Sequence, residues 1–290
     1  MPALIDIDLV IQNMDQAGLS HRICCTASWL TCYWADPGLG QAVSRATNEA
    51  IARDVAKHPT RLLGLASLPV QDVDRAIDEL VYAVNTLGLV GVALGSNVNG
   101  TYFDQPKFDP LLAAIEELNV PIFFHPDEVL GEERLQDYWL IRLIGNPHEA
   151  GAALAHLIFG GVLERFPNLK VCFPMGGGSF SQLLGRMTHS WKVTPEARAK
   201  APRSPAEYLD RCFFDTIIHS PLSFEFILKT VSPGRLVLGS DYPWDMGLAE
   251  PRRVVEESSL SDEDCRGVLA GNLGGILGLS FSGSEDKVQG

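Results

Sequence analysis

Short, largely apolar runs recur along this chain with helix-spaced stretches between them, and this alternation limits the fold more than any other feature. The runs are residues 23–27, 62–68, 90–94, 121–125, 170–174, 212–216 and 235–240. Between them, as in residues 72–87 and 108–118, apolar side chains return every three or four positions, and the stretches stop beside Gly88 and Asn119. Strand and helix alternating in this way predict right-handed βαβ crossovers and a parallel sheet. Seven strands are one short of a closed eight-stranded barrel, and the shortage is at the front. Residues 5–17, with Ile5, Leu9 and Ile11 apolar and Gly18 as a stop, read as a helix leading into the first visible strand. The expected architecture is therefore an α/β, TIM-like (β/α)8 barrel lacking its first strand. The barrel is then incomplete, or a partner chain fills the gap, or residues once preceded Met1. An open doubly wound sheet is the alternative, but no early strand is followed by its glycine-rich phosphate turn. Residues 132–166 are expected to hold two helices broken around Gly145, Asn146 and Pro147. Residues 1–279 are read as one barrel domain and the polar residues 280–290 as a flexible tail.

Composition narrows the function classes. With 46% hydrophobic and 20% charged residues in 290, the chain can bury a large core and is not a disordered or disulfide-scaffold protein. Lys and Arg number 23 against 36 Asp and Glu, a net charge of −13, so nucleic acid and anionic membrane are poor partners. No apolar run reaches the roughly 18 residues of a span and no signal peptide is visible, which predicts a cytoplasmic protein. The six cysteines show no CxxC spacing and read as buried free thiols, with the vicinal Cys24 and Cys25 as a weaker redox candidate.

In a parallel barrel the working groups sit at the C-terminal ends of strands. The run at 121–125 closes on His125, and the run at 235–240 is followed by Asp241. The run at 212–216 contains Asp215 and is followed by His219, and the run at 170–174 opens through Met175 into Gly176, Gly177 and Gly178. Imidazole and carboxylate at one barrel mouth can ligate a metal or exchange protons with a substrate. The bland alternatives are a hydrogen-bonded core role for His125, a helix N-cap for Asp241, a loop brace for Asp215 and a solvated loop position for His219. His21, His58, His148, His156 and His189 read as structural or solvent-facing. The glycine run lacks a P-loop lysine and suits close backbone packing under a ligand. Neither GxSxG nor HExxH occurs.

Longer segments carry a resemblance. Residues 13–18, 62–69, 123–126, 138–140, 160–173, 185–186 and 239–243 are similar, in order, to the aminocarboxymuconate-semialdehyde decarboxylase family of the amidohydrolase superfamily. The resemblance implies a distorted (β/α)8 barrel with one divalent metal, usually zinc. An HxH pair on strand one, a strand-five histidine and a strand-eight aspartate would hold it, and a histidine heading the strand-six glycine run would move protons. On this chain His125 and Asp241 fall on the strand-five and strand-eight ligands. Arg186 falls on a substrate-carboxylate arginine, and Trp139 and Trp244 on pocket-lining positions. The chain departs from the pattern in three places. The HxH pair lies before its start, Met175 replaces the proton-transfer histidine, and no second arginine follows Arg186 near Lys192 to Thr194.

The resulting expectation is a decarboxylase-like or metal-free lyase, isomerase or cyclase for a small unsaturated or aromatic acid. His125 and Asp241 would be catalytic, and Arg186, Trp139, Trp244, His219 and Met175 would contact substrate. No cofactor is expected; the alternative is a divalent metal such as zinc on His125 and Asp241, completed by Asp215, His219, a partner chain or an upstream segment. A catalytically silent ligand-binding barrel is the remaining alternative. The uncovered strand edge predicts a homodimer.

Overall fold

A computed structural model of the chain describes residues 4–281. Its main sheet has seven strands: β1 (Arg22–Cys24), β2 (Leu62–Ala66), β3 (Gly91–Gly95), β4 (Ile122–His125), β5 (Val171–Phe173), β6 (Cys212–Asp215) and β7 (Leu236–Val237). They lie side by side in chain order and every pairing is parallel. Gly95 is level with His125, and Asp215 with Val237. The longer helices between and around them are α1 (Ile7–Gln16), α2 (Pro37–Lys57), α3 (Val73–Asn85), α4 (Asp109–Glu117), α5 (Asn146–Phe159), α6 (Phe180–Val193) and α7 (Pro221–Leu228).

Local chemistry starts several of these helices. Asp6 accepts hydrogen bonds from Asp8 N and Leu9 N to cap α1, and Asp72 accepts from Arg75 N, 3.1 Å away, to cap α3. A parallel sheet covered by helices buries both faces, which is why the strands read as continuous apolar runs rather than alternating ones. Phe124, Phe173 and Phe214 on β4, β5 and β6 form a ladder of rings with centroids 5.1 and 6.5 Å apart.

The sheet curls into a seven-stranded, TIM-like barrel wall. Ile23, Leu65, Ala93, Phe123, Pro174, Asp215 and Val237, each on or directly after a different strand, line one cavity. β1 and β7 are the end strands and do not pair with each other. Side chains cross the gap between them. The Arg22 guanidinium lies over the Tyr242 ring at 4.6 Å, Trp29 meets Trp244 edge-on at 5.0 Å, and Arg252 Nη1 donates to Gly18 O at 2.9 Å.

Each of the seven apolar runs contains or borders a strand, and the largest difference is at the last. β7 holds two residues because Leu238 N turns to the carbonyl of Val268, at 3.1 Å, and leaves the ladder. The helix break expected at residues 145–147 is absent. A π-helical turn, Ile141–Gly145, runs directly into α5, and Pro147 sits in the first turn of α5, where a missing N–H costs nothing. The chain leaves helical form instead at residues 135–139 and at Gly160–Gly161. Of the expected tail, residues 282–290 lie outside the described residues. All six cysteines are free thiols, but only Cys172 and Cys212 are buried. Among the described residues no helix is long and apolar enough to cross a membrane.

Candidate active site

The cavity enclosed by the sheet has a volume of about 1160 Å³. His125 ends β4 and turns its ring into this space. Its Nδ1 is 2.7 Å from Pro126 O, so the nitrogen that donates is fixed by the backbone and Nε2 is left to the cavity. Surrounding protein desolvates the ring and lowers its pKa; the Pro126 hydrogen bond and Asp241 oppose this, while Arg142 adds to it. The outcome is a neutral imidazole at neutral pH.

Asp241 follows β7 in a left-handed backbone conformation, φ 53°, beside the cis Tyr242–Pro243 bond, and its carbonyl accepts from Trp244 N at 2.9 Å. The turn serves to aim the side chain, since no helix begins there for it to cap. Burial raises the Asp241 pKa against the pull of His125, His219 and Arg142. Asp215, at the end of β6, accepts from Ile217 N at 3.0 Å and Gly176 N at 3.4 Å. Desolvation nevertheless pushes its pKa up to about 7, helped by the charge of Asp241. It is both a loop brace and a cavity-lining acid.

The loops around His125 are pinned by a buried carboxylate. Glu149 of α5 accepts from Ser96 Oγ at 2.9 Å, Asn97 Nδ2 at 3.0 Å, Tyr102 OH at 3.1 Å and Leu130 N at 3.2 Å. That network joins the loop after β3 to the loop after β4.

Of the residues singled out in the sequence, His125, Asp241, His219, Met175 and Trp244 line the cavity. Arg186 is an exposed residue of α6 and Trp139 an exposed residue of the loop after β4; neither lines it. Sequence reasoning passed over Arg142 and Trp29, which do, and read Cys25, which also does, only as a weak redox candidate. Arg142 carried no strand-end signal, and Trp29 lies in a single 3-10 turn, Ser28–Leu30, after β1, where its ring meets Trp244. Cys25 opens onto the cavity, and the surrounding protein together with Cys24 and Asp241 pushes its thiol up to about 11, which makes it a poor nucleophile at neutral pH.

A divalent metal can be tested against these donors. His125 Nε2 and the Asp241 carboxylate suit one by type, but a catalytic metal usually keeps three protein ligands. Among the described residues no group of three or more His, Cys, Asp or Glu could hold an ion. The described residues alone therefore do not make up such a centre.

The amidohydrolase family model matches residues 27–272 of this chain. A 2-amino-3-carboxymuconate-6-semialdehyde decarboxylase from Dictyostelium discoideum is 36% identical over 276 residues, covering 94% of this chain and 77% of that protein. The chain belongs to the amidohydrolase family. Within the family it is also 28% identical over 251 residues to a gamma-resorcylate decarboxylase of Rhizobium sp. (strain MTP-10005), covering 82% of this chain and 75% of the relative. Among solved structures, 5-carboxyvanillate decarboxylase from Sphingomonas paucimobilis superposes with a TM-score of 0.85 at 23% identity, over 93% of this chain and 82% of that one. A dihydroxybenzoic acid decarboxylase from Polaromonas sp. JS666, with bound manganese and 2-nitroresorcinol, superposes with a TM-score of 0.83 at 23% identity, over 93% and 85%. These two likenesses establish the barrel fold.

Proposed function

We propose that this chain is a decarboxylase-type lyase for a small acid with an aromatic or conjugated unsaturated skeleton. The observation that carries the reading is the convergence of His125 and Asp241 on one cavity, in a chain 36% identical to a decarboxylase. The cavity, at about 1160 Å³, has room for a single-ring acid.

Burial favours the uncharged form of each group, imidazole at His125 and carboxyl at Asp241. In the proposed step the Asp241 carboxyl delivers its proton to the carbon that bears the substrate carboxylate. The bond to that carboxylate then breaks, its electron pair stays with the carbon skeleton and carbon dioxide leaves. Asp241, now a carboxylate, regains a proton from water through His125 Nε2, so one solvent proton is consumed for each carbon dioxide released. Trp244 and Trp29 wall the cavity and keep bulk water from the reacting carbon. The test is carbon dioxide release from a panel containing 2-amino-3-carboxymuconate 6-semialdehyde, 2,6-dihydroxybenzoate, 6-methylsalicylate and 5-carboxyvanillate. Release from at least one acid, lost in His125→Ala and Asp241→Asn, is expected; full activity in His125→Ala would sink the assignment.

A metal-dependent form of the same reaction is the second reading, favoured by the manganese in the Polaromonas decarboxylase. His125 and Asp241 would then be two of the ligands, and the metal would supply Lewis-acid stabilisation of developing negative charge. Manganese or zinc binding near one ion per chain, abolished in His125→Ala, is the result this reading requires. A cytoplasmic homodimer accompanies both readings as a proposal.

A further inference from the structure

We propose that Arg142 is a specificity-determining residue that grips the substrate carboxylate. The proposal rests on the reading of the cavity as a site for a small acid. Arg142 is the second residue of the π-helical turn after β4, and its side chain lines the cavity. The turn is held firmly. Arg142 N and Leu143 N both donate to Trp139 O, at 2.9 and 3.0 Å. Gly145 closes the turn so tightly that a Cβ there would stand 2.4 Å from Val129 Cγ1. A π turn places successive side chains differently from an α turn, and such insertions recur at functional sites. Here it brings a cation to the cavity, while Trp139 packs beside the guanidinium at 5.8 Å.

Among the described residues, the Arg142 guanidinium has neither a salt bridge nor a hydrogen bond to protein, although it is close enough to His125 and Asp241 to perturb both. The other cations on the cavity are differently placed. Arg22 gives Nη2 to Asn13 Oδ1 at 2.8 Å and covers the Tyr242 ring. Arg252 holds Gly18 O and pairs with Glu256 at 2.6 Å, and Arg266 sits with it around Cys265. Arg186 does not line the cavity of its own chain.

The chemistry requires a cation where Arg142 stands. A carboxylate entering beside Asp241, in a chain of net charge −13, meets repulsion unless a positive group receives it. A guanidinium binds both carboxylate oxygens in one plane, and that geometry orients the bond to be broken as well as neutralising the charge. The turn fixes the backbone that carries Arg142, and among the described residues its guanidinium is left free to pair with an incoming carboxylate.

The decisive experiment compares binding of 2,6-dihydroxybenzoate with that of resorcinol, the same ring without the carboxylate, by titration calorimetry. Wild type, Arg142→Gln and Arg142→Lys would be measured side by side, with thermal melts to confirm folding. Wild type is expected to prefer the acid by at least roughly tenfold. Arg142→Gln should weaken acid binding about 10- to 100-fold and leave resorcinol within about twofold. Arg142→Lys should fall between, because a point charge replaces the planar fork. An acid preference that survives in Arg142→Gln, or is missing from wild type, overturns the proposal. Turnover separates it from the reading of the site. Loss of acid preference in Arg142→Gln, with no carbon dioxide released by wild type from any acid in the panel, defeats the decarboxylase reading and leaves the Arg142 assignment standing. Carbon dioxide release with KM unchanged in Arg142→Gln defeats the Arg142 assignment alone.

Discussion

His125, Asp241 and Asp215 meet in one cavity at the ends of strands or directly after them, and burial acts on each of them in a direction that can be measured. Replacing His125 by Ala, or Asp241 by Asn, should lower kcat by about 10²- to 10⁴-fold, the usual contribution of a positioned proton-transfer group. The melting temperature of each variant should stay within a few degrees of wild type. Retained kcat in either variant would remove that residue from the mechanism. Asp215 gives a stability prediction. Its pKa rises from the usual 3.8 to about 7 on folding, so the folded chain keeps a proton that the unfolded chain has released. That contribution is full below about pH 4 and is lost as pH rises through 7. Relative to Asp215→Asn, which keeps the shape but does not titrate, wild type should lose on the order of a few kcal/mol between pH 4 and pH 8. Urea unfolding of both proteins across that range decides it, and parallel profiles would show that the carboxyl is not perturbed. His125 and Asp241 were legible in the sequence because each closes or follows an apolar strand run, where a polar group needs a reason. Arg142 was not, because only the π turn directs it into the cavity, and a lone arginine in a helix-like stretch carries no such signal.

At the scale of elements, the contact between α5 and the glycine turn before α6 sets the position of the barrel mouth. Ser179 N donates to Pro147 O at 3.0 Å, and Gly178, at φ 60°, lies against the same carbonyl. A Cβ on Gly178 would stand 1.9 Å from Pro147 O, a distance no side chain can occupy. Gly178→Ala should therefore destabilise the fold by more than about 2 kcal/mol and move the π turn that carries Arg142. Gly185→Ala, on α6 with nothing within 4 Å of its Cβ position, is the matched control and should be neutral or slightly stabilising. Equal melting temperatures for the two variants would contradict the close approach. The glycine run packs closely, as the sequence suggested, with Gly178 against the Pro147 carbonyl, and the strands were visible because both of their faces are covered. The expected break at residues 145–147 misled for an equally physical reason. Gly-Asn-Pro usually interrupts a helix, but a proline in the first turn of α5 loses no hydrogen bond, so the π turn passes straight into the helix.

For the molecule as a whole, β1 and β7 bound the curled sheet without a common ladder, so stability should fall off toward that seam. In the interior, β3 shares four paired positions with β4, and the Phe124, Phe173 and Phe214 rings bind β4, β5 and β6 together. Across the seam the described contacts are side-chain ones: Trp29 on Trp244, Arg22 on Tyr242 and Arg252 on Gly18 O. An edge-on aromatic pair contributes roughly 0.5–1.5 kcal/mol beyond its buried area, and an exposed arginine contact contributes less. Backbone amides of β1 and β7 should therefore exchange hydrogen faster than those of β4 and β5 by local opening that leaves the interior closed. Trp244→Ala should widen that difference and speed exchange at β1, although the substitution lies beyond β7 at the other side of the gap. A double-mutant cycle of Trp29→Ala and Trp244→Ala should return a coupling within the range for such pairs. Uniform protection from β1 to β7, or exchange at β1 indifferent to Trp244, would mean that the seam is held by something other than these side chains. The same experiment bears on the site, because Asp241, Tyr242 and Trp244 share the segment after β7. Bound 2,6-dihydroxybenzoate should slow exchange there and at β1 together if the acid sits against both edges of the seam.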